Sequence, residues 1–142
     1  MLDYTGIGEA LASVISNVDS MNLTRYELEA TEFTHNRTPF ADIRLVDADN
    51  DVRAGQDYFT DLTLAVDIYT MDMSSIREAA TLRDGLLADA QNAVRANPNF
   101  HISLESSILG GVEFTTSKDE GTGWFTARAS FQVIAKAFTD RS

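Results

Sequence analysis

The chain is predicted to be an α+β domain with one mostly antiparallel sheet, and three stretches carry that expectation. From Phe59 to Tyr69, Leu62, Leu64, Val66 and Ile68 alternate with Asp61, Thr63, Ala65 and Asp67, the period-two pattern of a strand with one face in a core. From Ser75 to Ala96 the period changes: Ile76, Ala79, Ala80, Leu82, Leu86, Leu87, Ala90, Ala93 and Val94 gather on one broad stripe at about 100° per residue. From Trp124 to Phe138, Phe125, Ala127, Ala129, Phe131, Val133 and Ala135 alternate with Thr126, Arg128, Ser130, Gln132 and Lys136.

The boundary between the first strand and the helix is explicit. Ser75-Ile76-Arg77-Glu78 has the form of a capping box, in which the serine hydroxyl and the glutamate carboxylate satisfy amides of the first turn, and Pro98 stops the helix. By rise per residue the strand spans about 36 Å and the helix about 31 Å, so the helix can lie along its parent strand.

The 142 residues suit one domain around one core, assigned to 1–142. Cysteine is absent, which removes disulfides, thiol nucleophiles and thiolate metal sites. No apolar run approaches the roughly 20 residues of a membrane-spanning helix, and Met1-Leu2-Asp3-Tyr4 lacks the basic region of a signal peptide, so synthesis in the cytoplasm and no membrane association are expected. Eleven basic against 22 acidic side chains leave a net charge of −11. That balance opposes a grip on phosphate backbones, which depends on Lys and Arg.

In chain order, Ile7, Leu11, Val14, Ile15 and Val18 predict a short N-terminal amphipathic helix from Gly6 that packs on the same sheet face as the long one. Gly6-Ile7-Gly8 lacks the third glycine and the preceding strand of a nucleotide loop. Arg25–Phe33 alternates as an edge-like strand with a charged outer face, and Phe40–Val46 resumes with Ala41, Ile43 and Leu45 on one side; the two are expected to be neighbours joined by a turn. Asp47, Asp49 and Asp51 open like a calcium loop, but Val52 and Tyr58 stand where such a loop needs glycine and glutamate. The expectation is an acidic, solvated inter-strand loop.

Phe100–Leu104 and Ile108–Thr116 read as two more strands, with Gly110-Gly111 as a bulge or turn. Lys118, Asp119 and Glu120 belong to a polar loop, Ser117–Gly123, that closes a long C-terminal hairpin. At about 50 Å the final strand exceeds the roughly 37 Å diameter of a compact domain of this size, so a bulge must bend it or the hairpin must project.

No Gly-x-Ser-x-Gly elbow or nucleophile–base pairing is present, so no catalytic residue, metal or cofactor is assigned. His101 falls on the polar face of its strand. Asp61 and Asp67 are read as cross-strand charge partners of Arg128 and Lys136 on a wet sheet face. Arg83 breaks the apolar stripe of the long helix. Its charge must either snorkel at the core rim or pair across a subunit interface.

This order of elements, from the long strand leading into a long Ala/Leu helix to a glycine-bearing hairpin and a long final strand, resembles the tail-terminator proteins of long-tailed bacteriophages and, more broadly, small neck and tail-completion proteins. The resemblance covers roughly Ala41 to Phe138 and rests on pattern, size and acidity. It implies a structural virion protein of the tail or neck, not an enzyme. It implies a ring, usually a hexamer, that caps the tail tube, binds the tail-tube protein on one rim and a head-closure or connector protein on the other, and lets DNA pass without specific binding. Under that reading Arg83, Lys118, Asp119, Glu120 and Trp124 are candidates for subunit or partner contacts, and Asp47, Asp49, Asp51, Asp61 and Asp67 for an acidic loop or lumen. A head-closure adaptor of the same neck, or a small ligand-binding or enzymatic α+β domain, would share most of these features.

Overall fold

In the computed structural model the described residues are 2–19, 21, 23–26, 39–53, 57–118, 120–121 and 123–138. They form α1 (Tyr4–Ser16), β1 (Leu23–Tyr26), β2 (Phe40–Arg53), β3 (Asp57–Asp72), α2 (Ile76–Ala96), β4 (Leu104–Lys118) and β5 (Phe125–Phe138). The strands make one five-stranded sheet in the order β1-β2-β3-β5-β4. Every pairing is antiparallel except β1 with β2. The fold is α+β, as the sequence predicts, with both helices over one face.

That face holds the core because the alternation of each strand places its apolar set there. Leu62, Leu64, Val66 and Ile68 stand opposite Ala135, Val133, Phe131 and Ala129 of β5, and all are buried together with Ile7, Leu11 and Ile15 of α1 and Leu86, Leu87, Ala90 and Val94 of α2. Each large side chain so buried contributes about 1.5–3 kcal/mol through removal of apolar surface from water. Small residues on β5 and α2 let the helix approach, and Thr70 ties the end of β3 to the helix by donating its hydroxyl to the Ala79 carbonyl at 2.7 Å.

The helix starts are capped locally. Asp3 accepts from Gly6 N–H at 2.9 Å to begin α1. A Cβ on Gly6 would collide with the Asp3 carboxylate, so this glycine makes room for the cap. At α2, Ser75 accepts from Glu78 N–H at 3.1 Å as expected. The reciprocal bond of the capping box is not made by Glu78: the Ser75 amide donates to Asp72, also at 3.1 Å.

Three sequence expectations are corrected, and the glycine pair takes one of its two expected forms. Leu23–Tyr26 and Phe40–Ile43 are neighbours, but parallel, so no tight turn can join them; the remainder of the expected Arg25–Phe33 strand, from 27 onward, lies outside the described residues. Asp47–Asp51 is part of β2 and not a loop, because Thr63 to Phe59 of β3 offer it a continuous backbone partner. Phe100–Leu104 is not a strand: β4 begins at Leu104, Ile102 is exposed, and His101 Nδ1 instead accepts from the Ser103 amide in a turn. Gly110-Gly111 is a bulge inside one long β4.

The final strand, which begins at Phe125 rather than Trp124, neither bends at a bulge nor projects alone. It pairs with β3 without interruption from Phe59↔Phe138 to Asp72↔Phe125. The other long strands are comparable, at 16, 15 and 14 residues for β3, β4 and β2, so this part of the sheet is extended along the strands.

Candidate functional site

The sheet face away from the helices carries the sequence's charged set. Across β2, β3, β5 and β4 the register sets Phe40, Tyr69, Arg128 and Thr115 in one row, Asp42, Asp67, Ser130 and Glu113 in the next, and Asp49, Asp61, Lys136 and Ser106 nearer the other end. Charge is therefore sorted along the strands.

At the Phe40 end the face is closed and ion-paired. Asp67 is 1% exposed. Its Oδ2 accepts from Arg44 Nε and its Oδ1 from Arg128 Nη2, both at 3.0 Å. Asp42 is buried beside it. Phe40 stacks on Tyr69 with ring centroids 4.8 Å apart, and the Arg128 guanidinium lies 5.5 Å from the Tyr69 ring centre. Burial pushes the Tyr69 hydroxyl above its ordinary pKa, against the pull of Arg128. Burial likewise opposes the Arg128 charge, but Asp67 and Tyr69 outweigh it and hold the guanidinium above its usual value. The predicted pairing of Asp67 with a basic residue of β5 is present; the predicted wetness is not, because two arginines and an aromatic pair cover the carboxylate.

The middle of the face is creased. β2 shifts register between Leu45 and Asp47, and β4 between Leu109 and Val112, and the β3–β5 partners of those positions lie side by side. Two bulges at one level increase the local twist on both outer strands. Between them lies an open groove of about 490 Å³, lined among others by Arg44, Val46, Ala65, Glu113 and Gln132.

The far end is acidic. Asp47, Asp49 and Asp61 are exposed, Asp49 stands directly opposite Asp61, and Lys136 follows on β5. Lys136 also places Nζ 4.9 Å from the Phe59 ring centre. Asp51 continues this row in register opposite Phe59. Of the five acidic candidates, the structure thus groups Asp47, Asp49, Asp51 and Asp61 and separates Asp67.

Arg83 lies on the helix side over β4. The residue is 8% exposed. Its Nε donates to Asp84 at 2.9 Å, Nη1 donates to the Thr115 carbonyl at 3.4 Å, and its guanidinium sits 4.9 Å from the Phe114 ring centre. Its charge is met inside the chain. At the hairpin end, Lys118 lies 5.5 Å from the Phe125 ring centre, Glu120 is exposed and Trp124 is half-buried. Asp119 lies outside the described residues.

Sequence reasoning passed over Asp42, Arg44, Phe40 and Tyr69. The signal was available: Asp42 and Arg44 alternate with Ala41, Ile43 and Leu45, and so share the face of Asp67 and Arg128. Among the described residues no group of three or more His, Cys, Asp or Glu is placed to hold a metal ion, and no helix is long and apolar enough to cross a membrane. No protein-family model matches the chain, and no curated protein matches it.

Proposed function

We propose that this chain is a structural component of the neck of a long-tailed bacteriophage, a tail terminator that forms a ring, usually a hexamer, on the head-proximal end of the tail tube. The observation that carries this reading is the two-sided sheet: helices cover one face, while the other presents exposed Asp47, Asp49 and Asp61 on a chain of net charge −11. Such a face repels phosphate, so DNA can move past it without being held. The element order from β2 to β5 supports the reading further, since it is the order on which the resemblance rests. In the virion the two rims would meet the tail-tube protein and the head-closure or connector protein.

A head-closure adaptor would share this architecture and differ in its partners. A ligand-binding role has one observation in its favour, the groove at the crease, which joins an arginine and a glutamate over a small-residue floor. Virions assembled without this protein distinguish the readings. The terminator reading expects tails of uncontrolled length that lack heads; an adaptor expects tails of normal length detached from heads; normal virions would contradict both.

A further inference from the structure

The β4 edge of the sheet is covered near its start and bare beyond its bulge. At the start, Asn99 Nδ2 donates to the Leu104 and Glu105 carbonyls at 3.2 and 2.9 Å, and the Ser107 hydroxyl donates to the Pro98 carbonyl at 2.7 Å. Beyond the bulge, no hydrogen bond from the described residues reaches that edge. Phe138 N–H donates to the Ser103 carbonyl at 2.8 Å, so the even-numbered residues of β5 turn their backbone toward β4. Through the register they meet Glu113, Thr115 and Ser117, which leaves Val112, Phe114, Thr116 and Lys118 directing N–H and C=O outward. Phe114 is 53% exposed there.

Chain length keeps residues 27–38 from pairing with it. They leave β1 and return toward β2, so crossing the sheet to β4 and back uses about 33 Å of the roughly 45 Å they span at full extension, too little to leave a partner for Val112–Lys118. Residues 139–142 follow Phe138 at the Leu104 end, and about 14 Å of chain does not cover the roughly 27 Å from Leu104 to Val112. The other residues outside the described set come in runs of three or fewer. Val112–Lys118 also lacks the usual guards of a free edge: it has no proline and no bulge, and its single lysine stands at the end.

We infer that this edge pairs antiparallel with the same edge of a second copy, about a twofold axis at Thr115. The segment is self-complementary. In that register Val112 stands opposite the partner's Lys118, Glu113 opposite the partner's Ser117, Phe114 opposite the partner's Thr116, and Thr115 opposite its counterpart. All four outward residues of each strand are used, in about eight backbone hydrogen bonds, whereas sliding by two residues either way leaves one of them over. No charge faces a like charge, Thr–Thr and aromatic–β-branched pairs are favourable, and the two Phe114 rings lie diagonally within reach of each other. One acidic and one basic residue leave the segment neutral on a chain of net charge −11, so two copies meet here with little local repulsion. The axis is normal to the sheet and keeps both sets of helices on one side. α2 packs mainly on β3 and β5, one strand in from the joint, so the long helices stand clear of each other, and the partner's turn comes level with Gly110-Gly111. Such a dimer is isologous and belongs to the free chain; it goes beyond the ring reading, whose closing contact is heterologous.

The chain has no cysteine, so single engineered cysteines report this joint. At the axis Thr115 meets its counterpart at a non-hydrogen-bonded position, with Cα atoms about 4.5 Å apart, within disulfide reach. Oxidising concentrated Thr115→Cys should therefore give a covalent dimer. Glu113→Cys and Ser117→Cys should each stay uncoupled alone and give a mixed dimer together. Sedimentation of the unmodified chain should show a monomer–dimer equilibrium. Thr116→Pro removes an N–H that β5 does not use, so in dilute solution it should leave the melting temperature nearly unchanged, and at high concentration it should keep the chain monomeric. Equal cross-linking of all three single variants, an unmodified chain that sediments as a monomer at every concentration, or a Thr116→Pro chain that still dimerises would overturn the joint. Self-coupling of Glu113→Cys or Ser117→Cys in place of Thr115→Cys would overturn its register. A ring that forms without coupling through Thr115→Cys would keep the ring reading and remove this contact.

Discussion

Asp67 and Arg128 meet at 3.0 Å across β3 and β5 although the register sets Asp67 opposite Ser130. The long arginine reaches diagonally, as side chains two positions out of register can. With Arg44 closing from β2 at the same distance, one carboxylate links three strands. Removing it from between two guanidiniums leaves unpaired charge, at a cost of about 3–5 kcal/mol where the group is fully buried. The side chains of Arg44 and Arg128 keep 44% and 36% exposure, so water compensates in part. Asp67→Ala should lose about 2 kcal/mol, and Arg44→Met clearly less, as measured by urea denaturation.

Leu64 lies at the centre of the core between Leu45 and Val133 and is fully buried. Leu64→Ala should destabilise the chain by about 2–5 kcal/mol through lost burial and a residual cavity. A loss below about 1 kcal/mol in the same denaturation measurement would mean that the helices do not seal this face.

The two bulge glycines should respond differently to alanine. A Cβ at Gly110 would stand 3.0 Å from the Gln132 Cβ, whereas at Gly111 it would meet nothing within 4 Å. Gly110→Ala is expected to cost about 1–2 kcal/mol by forcing β4 off β5. Gly111→Ala should stay within about 0.5 kcal/mol of the unmodified protein. Thermal melts of the two variants check the contrast.

Hydrogen bonds from the Ser74 hydroxyl and from the Ser74 and Ser75 amides hold the Asp72 carboxyl below its ordinary pKa. A depressed folded-state pKa contributes stability above the unfolded-state value, and that contribution is lost as pH falls through the folded one. Asp72→Asn keeps an acceptor but cannot titrate. The melting-temperature gap between the unmodified chain and this variant should therefore be constant near neutrality and shrink as the solution is acidified below the ordinary carboxylate range.

Much of this arrangement is legible in the sequence, for identifiable reasons. The β3 and β5 faces and α2 follow from periodicity because both strands have one face sealed by helices, so a slip would expose every core residue. The composition of Asp47–Asp51 suggests a loop, whereas a long partner strand decides otherwise by offering backbone bonds. The Gly6 and Asp72 roles depend on contacts three residues away, which a motif of fixed form does not cover. The closed ion-pair cluster needs the register between β2 and β3, and the Leu45/Asp47 bulge that sets it has no glycine to announce it.

As the proposed terminator, this protein would stop a growing tail tube. The most direct measurement adds the purified chain to polymerising tail-tube protein and follows tube length and tube ends by electron microscopy. Tubes should then stop lengthening and carry a ring of extra density at one end. Tubes that lengthen unaffected and carry bare ends at saturating amounts of the protein would contradict it.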